Sequence, residues 1–232
     1  MYSTLIFAAT YNEIDNIEKY LFLANKFNKK IDILIVDDNS PDGTGIKLLK
    51  LKKKYKNLVV KIRKKKLGLN TAHKFAYRYA LKKKYTKLVT MDADLSHNPK
   101  IIGKFIKELD KFKFVIGSRY MKGGRNELGF HRFLLSYFGN KIIRFFLNIE
   151  CTEFTSSYRG FRLDKMKSFS LNSVNSKGYS FFMETLYLIN RKKIQIKEIP
   201  IIFASRKSGK SKIPKIELFR TLKNVFFLSI SK

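Results

Sequence analysis

Five short apolar runs punctuate the first half of the chain, and four of them end in a polar cluster. Thr4 to Ala9 gives way to Thr10-Tyr11-Asn12-Glu13, and Ile31 to Val36 gives way to Asp37-Asp38. Leu88 to Met91 ends in Asp92-Ala93-Asp94, and Phe114 to Gly117 ends in Ser118-Arg119. The remaining run, Leu58 to Ile62, is rich in β-branched residues. Between the runs, apolar residues recur at helical spacing, as in Ile14, Ile17, Leu21 and Ala24, and again in Ala72, Ala76 and Ala80. Strand-length runs alternating with amphipathic helices predict a layered α/β fold with a mostly parallel sheet and flanking helices. Ligands of such sheets bind outside the carboxyl ends of the strands, so the four polar clusters are expected on one rim.

The second half changes character. Phe130, Phe133, Leu134, Tyr137, Phe138, Ile142, Phe145 and Phe146 sit at helical spacing, while Arg132, Ser136, Asn140 and Arg144 recur every four residues as a polar stripe that drifts slowly round the axis. Ile194 to Ala204 reads as extended around Pro200, Arg206 to Lys212 as a basic loop, and the tail after Pro214 as a second apolar and basic helix. The expected organisation is one catalytic-size unit over residues 1–213 and a basic amphipathic tail over 214–232. With 44% hydrophobic residues the chain can bury a core and is not a disordered tail. A single cysteine, Cys151, excludes an intrachain disulfide. Lys and Arg number 49 against 18 Asp and Glu, a net charge of +31, which reflects either attraction to polyanions or a bias in composition. No secretory signal and no run of about 20 apolar residues is legible, so a cytoplasm-facing chain without a spanning helix is expected.

Asp92-Ala93-Asp94 places two carboxylates two residues apart at a strand end. Hard divalent cations favour one or two carboxylates together with substrate phosphates, so the tripeptide is either a metal site or a capping turn. Asp37 to Thr44 likewise reads either as a strand-to-helix turn or as an acidic contact for a ribose or base. Neither a Walker pattern nor G-x-G-x-x-G is present. His97 reads as a helix-start residue, His73 and His131 as bystanders, and Glu184 equally as a structural or a site carboxylate.

Together, Thr10 to Glu13, Val36 to Thr44, Leu67-Gly68-Leu69, Met91 to Pro99 and Gly117 to Tyr120 resemble, in order and spacing, the polyprenol-phosphate (dolichol-phosphate) mannosyltransferases. These are inverting GT-A enzymes of glycosyltransferase family 2. The resemblance continues through Arg132 to Asn140, Gly178 to Phe181, Glu198 to Ile201 and Arg206 to Lys212, and covers residues 3–213. It implies a GT-A (Rossmann-like) nucleotide-diphospho-sugar transferase fold with C-terminal amphipathic interface helices. It also implies mannose transfer from GDP-mannose to a polyprenyl (dolichyl) phosphate, with Mg²⁺ or Mn²⁺ as cofactor. Tyr11, Glu13, Val36 and Asp38 match nucleoside-binding positions, with Ala9 in the same nucleotide-sugar loop. Asp92, Ala93 and Asp94 match the sugar-nucleotide motif, with Asp92, Asp94 and Ser96 as metal ligands. Arg119 matches a position near the diphosphate and the incoming phosphate, Arg132 and Ser136 the lipid phosphate, and Arg206 and Lys212 a loop over the donor. The catalytic set so implied is Asp94, Arg119, Arg132 and Ser136.

The acceptor is already an anion, so the chemistry needs positioning and charge stabilisation rather than a base, a task suited to arginine forks. Four positions depart from the family pattern. Ala9 stands where Pro is usual, Glu153 where Asp is usual, Ser157 where Gly is usual, and Phe182 where Gln is frequent. Expected partners are GDP-mannose, the lipid phosphate, an anionic membrane surface and a membrane-embedded partner subunit, with no nucleic acid. The expected location is peripheral, on the cytoplasmic face of a membrane. Two other readings remain open: a sister enzyme using another sugar nucleotide such as UDP-glucose, and a non-enzymatic basic protein that binds RNA or membrane.

Overall fold

The computed structural model describes residues 3–28, 31–204 and 216–230. Its first half follows the expected alternation. β1 (Thr4–Thr10), β2 (Asp32–Asp37), β3 (Leu58–Ile62), β4 (Lys87–Thr90) and β5 (Phe114–Ser118) are separated by α1 (Ile17–Phe27), α2 (Thr44–Lys54), α3 (Leu69–Lys82) and α4 (Ile102–Lys111). A short ladder pairs β6 (Arg125–Asn126) with β9 (Ile202–Phe203). The second half adds α5 (Phe130–Leu147), β7 (Arg159–Arg162), α6 (Tyr179–Arg191), β8 (Ile196–Pro200) and α7 (Ile216–Ile230).

The main sheet has the order β3-β2-β1-β4-β7-β5-β8. All its pairings are parallel except those of β7, which runs against both β4 and β5. Strand order reverses at β1, so the crevice between the carboxyl ends of β1 and β4 is the expected ligand site.

The apolar runs are continuous because both faces of the sheet are covered. Leu5, Phe7, Leu34, Val36, Leu88, Phe114 and Ile116 face one core with α3, α5, α6 and α7. Ile6, Ala8, Ile33, Ile35, Val89, Met91 and Val115 alternate with them toward α1, α2 and α4. Val225 of α7 is buried in the first of these cores, so this helix packs on the body of the fold.

The sequence pattern does not reveal β7, since two of its four residues are arginines. Both are buried, and the packing supplies their acceptors. Arg159 donates to the carbonyls of Ser156 (2.8 Å), Phe182 (2.8 Å) and Phe154 (3.0 Å). Arg162 donates to Leu109 O (3.0 Å), Asp110 (3.1 Å) and Asp164 (2.7 Å). Gly160 between them has no room for a side chain without displacing Leu109, whose Cδ1 lies 2.9 Å from a Cβ at that point. Phe182 is a core residue, packed on His73 and under the Arg159 guanidinium.

His73 is enclosed by Phe7, Phe181 and Phe182. Burial, with a smaller push from Arg159, takes its pKa down to about 3. The unfolded chain therefore takes up a proton below about pH 6.5 that the folded chain refuses, and stability falls as pH drops from there toward 3. His73→Phe is expected to remove about one proton from the slope of stability against pH in that window. Urea denaturation over a pH series measures it, and an unchanged slope counts against the assignment.

Candidate active site

The first two rim loops are built as one piece. Asn12 and Asn39 hold positive φ (58° and 56°), a region asparagine tolerates better than most residues. Three successive amides of the β1–α1 loop are received by side chains of the β2–α2 loop. Asn12 N donates to Ser40 Oγ (3.0 Å), Glu13 N to Thr44 Oγ1 (2.9 Å) and Ile14 N to Asp42 Oδ2 (3.1 Å). Asp37 is fully buried and accepts from Thr10 Oγ1 (2.8 Å), Ser40 N (2.9 Å) and Ser40 Oγ (2.6 Å). The Asp37-to-Thr44 segment is thus largely a scaffold that fixes the loop carrying Tyr11 and Glu13. Its next carboxylate, Asp38, pairs with Arg63 and accepts from Gly68 N (2.9 Å). Lys66 Nζ lies 3.9 Å from the Tyr11 ring centroid. Ala9 and Val36 pair in register one step behind, with Val36 buried.

The turn after β4 is tightly braced. Leu95 has φ 65°, a rare state for a bulky residue and one that concentrates at functional sites. Asp94 is buried, and its Oδ1 receives both the amide (3.0 Å) and the hydroxyl (2.6 Å) of Ser96. Asp92, one-third exposed, accepts from Ser157 Oγ (2.6 Å), and its amide donates to His97 Nδ1 (3.2 Å). His97 is therefore a brace of this turn rather than a simple helix-start residue. Burial lowers its pKa against the opposing pull of Asp92 and Asp94, consistent with a neutral ring accepting at Nδ1. Ala204 N donates to Ser96 O (3.1 Å), which brings the end of β9 beside the turn.

Among the described residues, no three His, Cys, Asp or Glu side chains gather into a metal cage. Asp92, Asp94 and Ser96 each offer side-chain oxygen on this turn, and Asp94 and Ser96 are in direct contact. Oxygen donors of this kind fit a hard divalent cation completed by phosphate oxygens and water.

The turn after β5 carries Arg119, which is buried and clamped by an acid from a distant segment. Its Nε donates to Glu153 Oε2 (2.8 Å), and its Nη2 donates to Glu153 Oε1 (3.3 Å) and Thr155 Oγ1 (2.9 Å). These bonds use Nε and Nη2 and leave Nη1 out of the clamp. Glu153 is fully buried and also accepts from Thr155 N (2.9 Å), Thr155 Oγ1 (2.8 Å) and Ser156 N (3.1 Å). Burial opposes the charge of Arg119, yet Glu153 outweighs it and the pKa lies above its ordinary value. The guanidinium lies 4.6 Å from the Phe203 ring and 5.1 Å from the Tyr120 ring. Gly124 packs on the backbone of this turn, with Ser118 O 2.7 Å from where a Cβ would stand.

α5 crosses next to this turn. Tyr120 Oη donates to Ser136 Oγ (2.6 Å), and Asn140 ties Ser136 O (2.7 Å) to Phe154 N (2.7 Å). The four-residue polar stripe expected on this helix is divided. Asn140 is buried inward, whereas Arg144 faces solvent beside exposed Phe145 and Phe146. The reason is the drift of a four-residue spacing around a 3.6-residue turn. Arg132 belongs to α5 by its backbone, and its side chain lies outside the described residues, as do Arg206 and Lys212.

Parallel pairing thus brings Tyr11, Glu13, Asp38, Asp92, Asp94 and Arg119 to one rim, with Ser136 joined to it through Tyr120. The sequence reading left Glu153, Ser157, Arg63 and Tyr120 without roles. Glu153 and Ser157 were visible only as departures from a pattern. Glu184 accepts from Asn175 N (2.9 Å) and Ser176 N (2.7 Å), which makes it a brace for the loop before α6.

The model of the family described as "Glycosyl transferase family 2" matches residues 5–169, and the chain belongs to that family. Its architecture is the GT-A fold. The chain is 34% identical over 205 residues to the undecaprenyl-phosphate mannosyltransferase of Micrococcus luteus, covering 88% of this chain and 84% of that one. It is 33% identical over 213 residues to the polyprenol monophosphomannose synthase of Mycolicibacterium smegmatis, covering 90% and 80%. Glucosyl-3-phosphoglycerate synthase from Mycobacterium tuberculosis, solved with UDP, superposes with a TM-score of 0.67 at 15% identity over 98% of this chain and 80% of that one. A mannosyltransferase from Pyrobaculum calidifontis, solved with GDP-Man and Mn²⁺, superposes with a TM-score of 0.54 at 16% identity, over 100% and 71%. At those identities the two superpositions speak for the fold.

Glu153→Ala strands a buried guanidinium and is expected to destabilise the fold by about 3–5 kcal/mol. Chemical denaturation measures the loss, and a change under about 1 kcal/mol, the level of an exposed pair, contradicts the clamp.

Proposed function

We infer that this chain transfers mannose from GDP-mannose to a polyprenyl (dolichyl) phosphate with inversion at the anomeric carbon. One observation carries the reading. An acidic turn suited to a cation and a clamped arginine occupy the same rim, in a chain a third identical to two enzymes named for this class of reaction. The lipid phosphate oxygen attacks the anomeric carbon as the bond to the diphosphate breaks, and GDP leaves from the opposite side. The nucleophile is anionic from the start, so the protein holds two repelling anions in line. Arg119, oriented by Glu153, offers its remaining N–H groups to phosphate oxygens. Tyr11, Glu13, Val36 and Asp38, with Ala9 behind them, hold the nucleoside. Arg132 and Ser136 on α5 receive the lipid phosphate, and Arg206 and Lys212 cover the donor. A divalent cation, Mg²⁺ or Mn²⁺, held by Asp92, Asp94 and Ser96, supplies neutralising charge to the diphosphate.

Residues 1–213 are read as the catalytic unit and 214–232 as a basic amphipathic tail whose α7 packs on that unit through Val225. No helix among the described residues is long and apolar enough to cross a membrane. α5 and α7 nevertheless expose large apolar side chains, including Phe130 (70%), Phe145 (80%) and Ile230 (60%). With Lys141, Arg144 and Lys223 exposed on the same helices, this is the composition of an interfacial surface, drawn to an anionic leaflet by a chain charge of +31. The chain is read as peripheral, on the cytoplasmic face. An RNA-binding role leaves the braced rim carboxylates without a task.

Incubation with radiolabelled GDP-mannose, a short polyprenyl phosphate and Mg²⁺ or Mn²⁺, followed by organic extraction, tests the reaction. Label is expected in the organic phase, and Asp94→Asn is expected to abolish it while leaving liposome binding intact. Label delivered only from UDP-glucose identifies the sister enzyme instead.

Co-sedimentation with anionic liposomes tests the attachment. Phe145→Ser with Phe146→Ser is expected to weaken binding at least tenfold, since each ring contributes roughly 1.5–3 kcal/mol when buried. Absence of binding by the intact chain at low salt removes the lipid surface and leaves a membrane-embedded partner subunit.

A further inference from the structure

Tyr120 touches both halves of the proposed site. Its ring lies 5.1 Å from the Arg119 guanidinium carbon, and its hydroxyl reaches Ser136 Oγ at 2.6 Å. The rest of the residue is fixed. Its amide donates to Ser118 Oγ (3.1 Å), and its ring packs on Phe133 and Tyr137 of α5 at centroid distances of 6.2 and 5.8 Å. Burial is the main reason its pKa lies above the ordinary value, against the pull of Arg119, so the phenol keeps its proton.

A serine hydroxyl has one proton to give and two lone pairs to receive with. Where Ser136 Oγ receives from Tyr120, its own proton remains available to another acceptor. An anionic phosphate is acceptor only, so a hydroxyl with this polarity matches it. A hydroxyl obliged to donate to a neighbour does not. Donation from the phenol also polarises the Ser136 O–H bond and strengthens what it gives.

We propose that Tyr120 is a positioning residue for the lipid-phosphate acceptor: it sets Ser136 as a hydrogen-bond donor to the phosphate and joins α5 to the Arg119 turn. The proposal rests on the reading of α5 as the acceptor helix. Its main effect falls on the acceptor side, because the hydroxyl of Tyr120 is directed to Ser136 while the donor-side carboxylates are braced by other residues.

Tyr120→Phe removes the hydroxyl and keeps the ring on Arg119, Phe133 and Tyr137. Steady-state kinetics of the full chain with GDP-mannose and a short polyprenyl phosphate in detergent, with thermal melting on the same preparations, test the proposal. Y120F is expected to raise KM for the polyprenyl phosphate by roughly ten- to a hundredfold, the range for one hydrogen bond to a charged group. Donor KM and kcat stay within about twofold, the pattern for lost uniform binding of one substrate. Ser136→Ala is expected to give a similar rise. The double variant loses no more than either alone, because the two hydroxyls act as one unit. A normal acceptor KM in Y120F beside a raised one in S136A overturns the role of Tyr120 and leaves the acceptor helix standing. A normal acceptor KM in S136A overturns both. An equal rise in both KM values with a lowered melting temperature marks a structural residue and also overturns the proposal.

Discussion

A sheet covered on both faces by helices can present its strand exits only at its rims, and the parallel strands here send theirs to the same one. Everything proposed for this chain depends on that geometric constraint. β1, β2, β4 and β5 deliver Tyr11, Asp38, Asp92 and Arg119 to one edge although more than a hundred residues separate the first from the last. The single reversed strand, β7, makes the constraint productive. It lies between β4 and β5 and begins at the rim where they end. The segment feeding it therefore meets both exits, with Glu153 on Arg119 and Ser157 on Asp92.

Charge on this rim is managed by bracing. In a chain of net charge +31, the carboxylates near the site are few and committed. Asp37 is filled by hydroxyl and amide donors, Glu153 by a guanidinium and two amides, and Asp94 on one oxygen by Ser96. Such groups do not swing to meet a substrate; they hold the rim loops and the proposed cation-binding edge in place beforehand. Preorganised charge is the main catalytic resource for a reaction whose nucleophile and leaving group are both phosphates. The proposed reaction accordingly needs no base, and in this reading Arg119 and Ser136 are fixed donors to anions, with Tyr120 donating to Ser136.

The sheet was legible because burial on both faces leaves long apolar runs, which Thr4 to Ala9 and Ile31 to Val36 display without ambiguity. The rim followed from the same runs, since four of the five ended in an abrupt polar cluster. β7 was not legible. Its arginines look like solvent residues until Leu109, Phe154, Ser156 and Phe182 are seen to offer carbonyls across the fold. The same limit hid Glu153. A bidentate pair spanning 34 residues leaves no local signal, and the glutamate registered only as a departure from a family pattern. On α5 the drift of the every-fourth-residue stripe is wide enough to turn Asn140 inward and Arg144 outward. The environments of Asp37 and Asp38 are likewise divided by the structure: adjacent acids at one strand end, one wholly a scaffold and the other paired with Arg63.

The central claim is that one rim gathers the sugar nucleotide between the Asp92–Asp94 turn and the Arg119 turn. A crystal structure of the chain soaked with GDP-mannose and Mn²⁺ tests it most directly. The account predicts manganese density against the carboxylates of Asp92 or Asp94, the diphosphate facing Arg119, and the guanosine beside Tyr11 and Asp38. Nucleotide density away from this rim, or manganese held by residues elsewhere, would contradict it.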